Sequence, residues 1–203
     1  MLYFTKRKAL SILRKFNREN KPLKLHIGCG GHYKEGWVNI DNNPRAKKDL
    51  RLNVLKGIPF PDNSVDYIFN EHFIEHLSYK AGLNFLKEAF RVLKPKGVIR
   101  TAFPDIDTLI DAHIKDTWRE MEWVKLIKAQ WYPSGCFMLN QCIRENGAHL
   151  YMYNVSELTR RLEEAGFRGD GISQCKVRQS RFAEMNNAEK RVDSSTVEAI
   201  KQE

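Results

Sequence analysis

Short apolar runs separated by amphipathic stretches organise this chain. Residues 23–27 and 37–40 are apolar runs of strand length, too short for helices. Residues 50–55 lead into Gly57-Ile58-Pro59-Phe60-Pro61-Asp62-Asn63-Ser64, a turn rich in helix and strand breakers, and residues 65–69 follow as a buried strand. Ser78 is placed to cap a helix over residues 79–93, whose Leu83, Leu86, Phe90 and Leu93 share one face. Lys94-Pro95-Lys96-Gly97 stops that helix before a strand over residues 98–103. Residues 107–128 read as helical and carry Trp118 and Trp123, with a looser stretch over 131–152 that includes Trp131. Ser156 opens a compact helix closed by Gly166, and closing strands fall near 171–177 and 195–200. Strands alternating with helices predict an α/β domain with a mostly parallel sheet.

Charge changes the picture at one end. Residues 1–24 hold eight basic side chains and one acidic, a net of +7, so only +2 of the chain's +9 belongs to the rest. Within this arm, residues 1–22 form a predicted basic amphipathic helix: Ala9, Ile12, Leu13 and Phe16 recur at helical spacing, with Arg7, Arg14 and Arg18 on another face. Such a helix either packs on its own domain or lies, through residues 1–20, on an anionic membrane surface or an acidic partner. Residues 23–203 read as one domain, with 104–153 a variable substrate-side segment. No apolar run approaches the ~20 residues of a membrane span, and the four cysteines lack CxxC spacing, which fits reduced thiols in a cytoplasmic protein.

The chemistry concentrates at Gly28-Cys29-Gly30-Gly31-His32, after the first strand, and at Asp41, closing the second. A glycine turn lets backbone approach a ligand, and a carboxylate at the tip of the next parallel strand suits the two hydroxyls of a ribose. The dinucleotide fingerprint is incomplete: its third glycine is missing, and Asp41 follows Gly28 by 13 positions rather than ~20. No Gly-Lys-Ser/Thr triplet supports a P-loop.

Three further blocks run in order: Ile58-Pro59-Phe60-Pro61-Asp62-Asn63-Ser64-Val65-Asp66, Glu71-His72-Phe73-Ile74-Glu75-His76-Leu77, and Phe90-Arg91-Val92-Leu93-Lys94-Pro95-Lys96-Gly97-Val98. With the glycine turn, they closely resemble the class I S-adenosylmethionine-dependent methyltransferases, of the type 11 kind. Gly36-Trp37-Val38-Asn39-Ile40-Asp41 and the closing Val197-Glu198-Ala199-Ile200-Lys201 resemble the small bacterial branch associated with surface-glycan synthesis. The resemblance implies a doubly wound, Rossmann-like fold with a mostly parallel seven-stranded sheet and an antiparallel last strand. It implies S-adenosylmethionine as cofactor and S-adenosylhomocysteine as product. It also implies cofactor contacts at His26, Gly28, Cys29, Gly30, Asp41, Asn53, Val54 and Asn70, with Asp41 on the ribose, Asn53 and Val54 on adenine, and Asn70 near the sulfonium. His26 departs from the more usual acidic or amide residue, and Asn53 from an aspartate. The link over residues 31–39 is too short for a full crossover helix.

Methyl transfer from a sulfonium is mainly an alignment task. His72 is the first candidate for a base, with Asp105 and His149 as further catalytic candidates. His72-Phe73-Ile74-Glu75-His76 also matches the His-x-x-Glu-His zinc pattern, but Glu75 and His76 read as packing residues in this context, and no metal is expected. The acceptor expected is a small molecule or glycan, a sugar hydroxyl in polysaccharide biosynthesis. The alternatives are an RNA or small-metabolite methyltransferase and a cofactor-binding pseudoenzyme scaffold. The near-neutral body argues against nucleic acid.

Overall fold

The computed structural model describes residues 2–203, with side chains from Thr5 onward; Met1 and the side chains of residues 2–4, part of the predicted arm, lie outside the described set. Seven strands form one sheet: β1 (Lys24–Ile27), β2 (Val38–Asp41), β3 (Leu50–Arg51), β4 (Val65–Glu71), β5 (Leu93–Phe103), β6 (Ile172–Cys175) and β7 (Ser195–Ile200). Their order is β3-β2-β1-β4-β5-β7-β6, and β7 runs against both neighbours. The expected doubly wound α/β sheet with an antiparallel last strand is therefore present.

The two faces of the sheet differ in chemistry. Leu25, Ile27, Val38, Ile40, Ile68, Ile99, Val197 and Ala199 share the first face through the strand registers. That face is covered by the helices α1 (Leu2–Arg18), α2 (Tyr79–Val92) and α6 (Val155–Ala165), which complete the main core. Ser78 caps α2, as the sequence predicts. The cap of α6 is Asn154, whose side chain accepts from the amide of Glu157; Ser156, expected as the cap, donates its hydroxyl to Asn154 instead. Ala9 of α1 is fully buried, with Ile12, Leu13 and Phe16 packed on the core, so the apolar stripe of the basic helix faces its own domain. Lys6, Lys8, Arg14, Lys15 and Arg18 remain exposed on its outer side.

The second face carries His26, Asn39, Phe69, Arg100 and Glu198 in register. The short 31–39 connection forms no helix over it; the Asn39 carboxamide, which accepts from the Lys34 amide, organises that loop. The cover comes instead from the long β6–β7 connection, a strap over residues 176–194. Its Phe182, Met185 and Ala188 pack on Phe69, Val98 and Tyr67. Arg100 anchors it: the buried guanidinium pairs with Glu189 of the strap and Glu198 of β7, and donates to the carbonyl oxygens of Lys176 and Gln179.

Between β5 and α6 the chain builds a side lobe. The predicted helix over 107–128 is broken into α3 (Ile106–Ile114), a 3-10 turn Trp118–Glu120 and α4 (Glu122–Leu126), followed by α5 (Gly135–Arg144). Asp116, at φ +54°, marks the break. Trp118 is the buried centre of the lobe's own small core, whereas Trp131 is 72 % exposed.

Removing one partner from a buried ion cluster leaves uncompensated charge, which costs about 3–5 kcal/mol. Arg100→Met is expected to lose that much stability in urea unfolding. Combining it with Glu189→Leu and Glu198→Leu should restore most of it; an Arg100→Met protein as stable as the parent would show that the strap is held otherwise.

Candidate cofactor and active site

The turn after β1 is built as the sequence suggests. Gly28 and Gly30 take φ of +70° and +49°, which glycine tolerates without a Cβ penalty. A side chain at Gly28 would meet the Phe73 ring at 2.4 Å, so an aromatic neighbour enforces this glycine. A Cβ at Gly30 or Gly31 would meet open space, the room a ligand needs over the turn.

Asp41 is half-buried at the end of β2, and its two oxygens are held apart by backbone donors: the Gly30 amide on Oδ2 and the Asn43 amide on Oδ1, each at 2.7 Å. Each oxygen keeps a lone pair for a further hydroxyl. At the end of β4, Asn70 is fully buried; its amide donates to Thr101 (2.9 Å), while its Oδ1 has no donor. A buried acceptor without a partner is costly, and here it suits a donor such as an amino group. Open space over the turn, a two-oxygen carboxylate and an orphaned acceptor together fit a nucleoside cofactor carrying an amino acid.

Other expected contacts have different settings. His26 is buried inside the sheet, its Nδ1–H donating to Asn39 (3.1 Å) and its ring lying 5.3 Å from that of Phe69. Burial holds its pKa down at about 4. Cys29 turns its thiol inward, fully buried, and burial raises its pKa to about 11. Both backbone groups of Cys29 are engaged, with Ile40 and His32. Asn53 caps a 3-10 turn, Val54–Lys56, by accepting from the Leu55 amide, with Val54 buried beside it.

Of the catalytic candidates, His72 has both ring nitrogens occupied. Arg191 donates to Nδ1 (2.6 Å), and Nε2 pairs with Ser194 (2.9 Å). Burial, with Arg191 adding to it, lowers its pKa to about 3, which makes it a poor proton acceptor in this arrangement. Asp105 caps α3 with Oδ1 and accepts from Ser195 with Oδ2. His149 donates from Nδ1 to the Cys142 carbonyl oxygen and turns Nε2 toward Glu75 and Glu145. Glu75 is completely buried, and desolvation raises its pKa to about 8. The strap residues Lys190, Arg191 and Ser194 were not foreseen. The amides of Lys190 and Arg191 both donate to Glu71 at the end of β4.

Comparison with known proteins gives a family likeness. Residues 37–101 match the family described as a methyltransferase domain. The matched segment is a methyltransferase domain. Over 138 residues it is 34 % identical to a probable S-adenosylmethionine-dependent methyltransferase of Mycolicibacterium smegmatis, covering 68 % of this chain and 42 % of that protein. The chain thus spans about half the length, or less, of the curated relatives it matches. A methyltransferase structure from Archaeoglobus fulgidus shares the fold of this methyltransferase domain, with TM-score 0.55 and 15 % identity over 95 % of this chain and 94 % of that one. So does the methyltransferase side of a Haloferax volcanii complex with a methyltransferase activator, with TM-score 0.54 and 14 % identity over 90 % and 83 % of the two chains. The cofactor of the methyltransferase family is S-adenosylmethionine.

Two outcomes test this assignment. If Asp41 holds the ribose, Asp41→Ala weakens S-adenosylhomocysteine binding by about 2 kcal/mol, roughly thirtyfold, in calorimetric titration; unchanged affinity would move the ribose elsewhere. His26 gives a pH signature. Its folded pKa lies below the unfolded value near 6.5, so between pH ~6.5 and ~4 the unfolded chain binds the extra proton. Stability is therefore lost on acidification, by up to about 3 kcal/mol from this residue. Unfolding of His26→Gln should fall less steeply than the parent over that range, and parallel curves would contradict the assignment.

Proposed function

We propose that the chain transfers a methyl group from S-adenosylmethionine to a hydroxyl of a small-molecule or glycan acceptor, a sugar in polysaccharide biosynthesis. The observation that carries methyl transfer is the convergence of the glycine turn, Asp41 and the unpartnered Asn70 Oδ1 at the carboxyl ends of β1, β2 and β4. When bound, S-adenosylmethionine supplies a methyl group on a positively charged sulfur. Asp41 would hold the ribose, Asn70 Oδ1 the amino group, and the space over Gly30 and Gly31 the chain between them. Asn53 and Val54 flank the adenine end, with Asn53 already sharing its oxygen with Leu55.

The sugar reading is supported by the resemblance to the glycan branch and by Trp131. This ring is exposed on the lobe after β5 and is held edge-on by Tyr132, at 4.9 Å between centroids. An exposed aromatic plate of this kind suits the apolar face of a sugar ring. The +2 left to the chain beyond residue 24 gives little electrostatic grip on RNA. The exposed basic side of α1 supports contact with an acidic partner or an anionic surface through charge, since its apolar stripe is already covered.

The reaction proposed needs alignment more than a base. Both nitrogens of His72 and both oxygens of Asp105 are engaged within the protein. The acceptor proton then leaves to water after the methyl group has moved, and proximity supplies most of the rate.

Calorimetric titration with S-adenosylhomocysteine, with NAD as control, is the first test, followed by transfer of labelled methyl from S-adenosylmethionine to nucleotide sugars and oligosaccharides. Saturable binding of S-adenosylhomocysteine alone, with label appearing in a saccharide, is the expected outcome. His72→Gln should keep turnover within about tenfold, below the ~100-fold or more that loss of a general base costs. Binding of NAD instead would overturn the cofactor assignment. Label that enters RNA but no saccharide would overturn the acceptor.

A further inference from the structure

Beyond the end of β4 lies a cluster that the methyl-transfer reading leaves unused, and it turns carboxyl oxygens and imidazole nitrogens toward one another. The 3-10 turn Ile74–His76 presents Glu75 and His76. The amides of Leu150 and Tyr151 donate to the Glu75 carbonyl oxygen, at 2.8 and 3.2 Å, and pin the His149 segment against that turn. Nδ1 of His76 donates to the Ala148 carbonyl oxygen (3.1 Å), and Nδ1 of His149 to that of Cys142. In the neutral rings each Nε2 is then a bare lone pair. The Glu75 side chain is fully buried, yet neither oxygen receives a hydrogen bond.

These lone pairs converge. Glu75 Oε1 lies 4.0 Å from His149 Nε2. Glu145 Oε2 lies 3.0 Å from the same nitrogen and 3.7 Å from His76 Nε2. One ligand atom each from Glu75, His76 and His149 falls within 4.8 Å of the others. Donors around a tetrahedral zinc ion, at bonds of ~2.0–2.1 Å, stand about 3.3–3.4 Å apart. The observed spacings bracket that value, so small side-chain rotations close the set. Imidazoles fixed through Nδ1–H to backbone carbonyls are also the usual outer support of histidine ligands. His72 stands aside: its Nδ1 is 3.5 Å from Glu75 Oε1 but takes the Arg191 hydrogen bond.

We infer that Glu75, His76 and His149 bind a divalent transition-metal cation of the zinc class, with Glu145 at the rim as a fourth donor. Two imidazoles and a carboxylate favour such an ion over magnesium or calcium, which prefer all-oxygen sites. The ion ties the β4–α2 turn to the lobe. The inference is independent of the methyl-transfer reading, because it is tested with metal alone.

The experiment is titration of chelator-treated protein with zinc by calorimetry and with cobalt(II) by visible absorption. One ion per chain is expected, with the intense cobalt spectrum of a four- or five-coordinate site and a rise in Tm on adding zinc. Glu75→Gln, His76→Asn and His149→Asn should each weaken binding at least ~10-fold, whereas Cys136→Ser, at an exposed thiol, should leave it unchanged. Glu75→Gln keeps the shape of the side chain and removes a buried ionisable group, so its fold is expected to hold and its loss of binding reads the site itself. Absence of saturable binding, or affinity unchanged in Glu75→Gln and His149→Asn, would overturn the inference.

Discussion

The guanidinium of Arg100, buried between Glu189 and Glu198, is the interaction on which the strap-covered face of this protein depends. A doubly wound sheet must be covered on both sides, and parallel sheets usually meet that need with crossover helices. Here the link between β1 and β2 is too short for one, and the face that the helices leave uncovered is polar, with His26, Asn39, Arg100 and Glu198 side by side. An apolar helix would leave those groups unsatisfied. An irregular strap can satisfy them, because its own backbone carbonyls and Glu189 reach down to Arg100. Buried charge of this kind adds little net stability, but it penalises every arrangement in which the partners are apart. The triad therefore fixes where the strap lies, and the strap fixes the groups beside the carboxyl end of β4.

Much of the fold was legible. Apolar runs of strand length gave the first, second, fourth and seventh strands within a few residues, because each is buried on at least one face and keeps a simple pattern; the fifth begins at Leu93 and takes in Lys94-Pro95-Lys96-Gly97, the segment expected to separate helix from strand. Ser78 and Gly166 were legible as helix ends because capping is local chemistry. Ser156 misled because Asn154, two residues earlier, offers an equally good acceptor and already binds the Glu157 amide. The predicted long helix over 107–128 failed for another reason: the lobe has to wrap around Trp118, and a straight helix cannot surround its own core. The strap left almost no pattern, since its anchors are backbone carbonyls and single charged residues. The signal available was arithmetic: a 31–39 link with no helix, and an unexplained stretch between two closing strands that a short hairpin would have joined.

The candidate site was legible in part, and the division follows the physics of each residue. Asp41 at a strand end and the glycine turn at positive φ could be placed from the sequence because strand ends and backbone conformation are local features. Gly28 acquires a second reason in three dimensions, the Phe73 ring lying against it. His26 sits where a ligand contact was expected, but its neighbours in the register turn it into part of the sheet interior. Sequence could not show that, because it depends on which residues of β2 and β4 lie beside it.

His72 explains why the His-x-x-Glu-His pattern does not act as its spacing suggests. On a regular helix its two histidines would share a face. Here His72 takes φ +46°, a left-handed conformation uncommon for a residue other than glycine, and the following residues form a 3-10 turn rather than an α-helix. The chain thereby sends the two histidines apart, His72 to Arg191 and Ser194 of the strap and His76 to Ala148 of the lobe. Glu75 lies between them, within 4.0 Å of both His72 and His149. A backbone conformation that costs of order 1–3 kcal/mol persists only where surrounding contacts over-determine it. In this protein those contacts come from both sides, so the end of β4 is where the strap, the sheet and the lobe constrain one another.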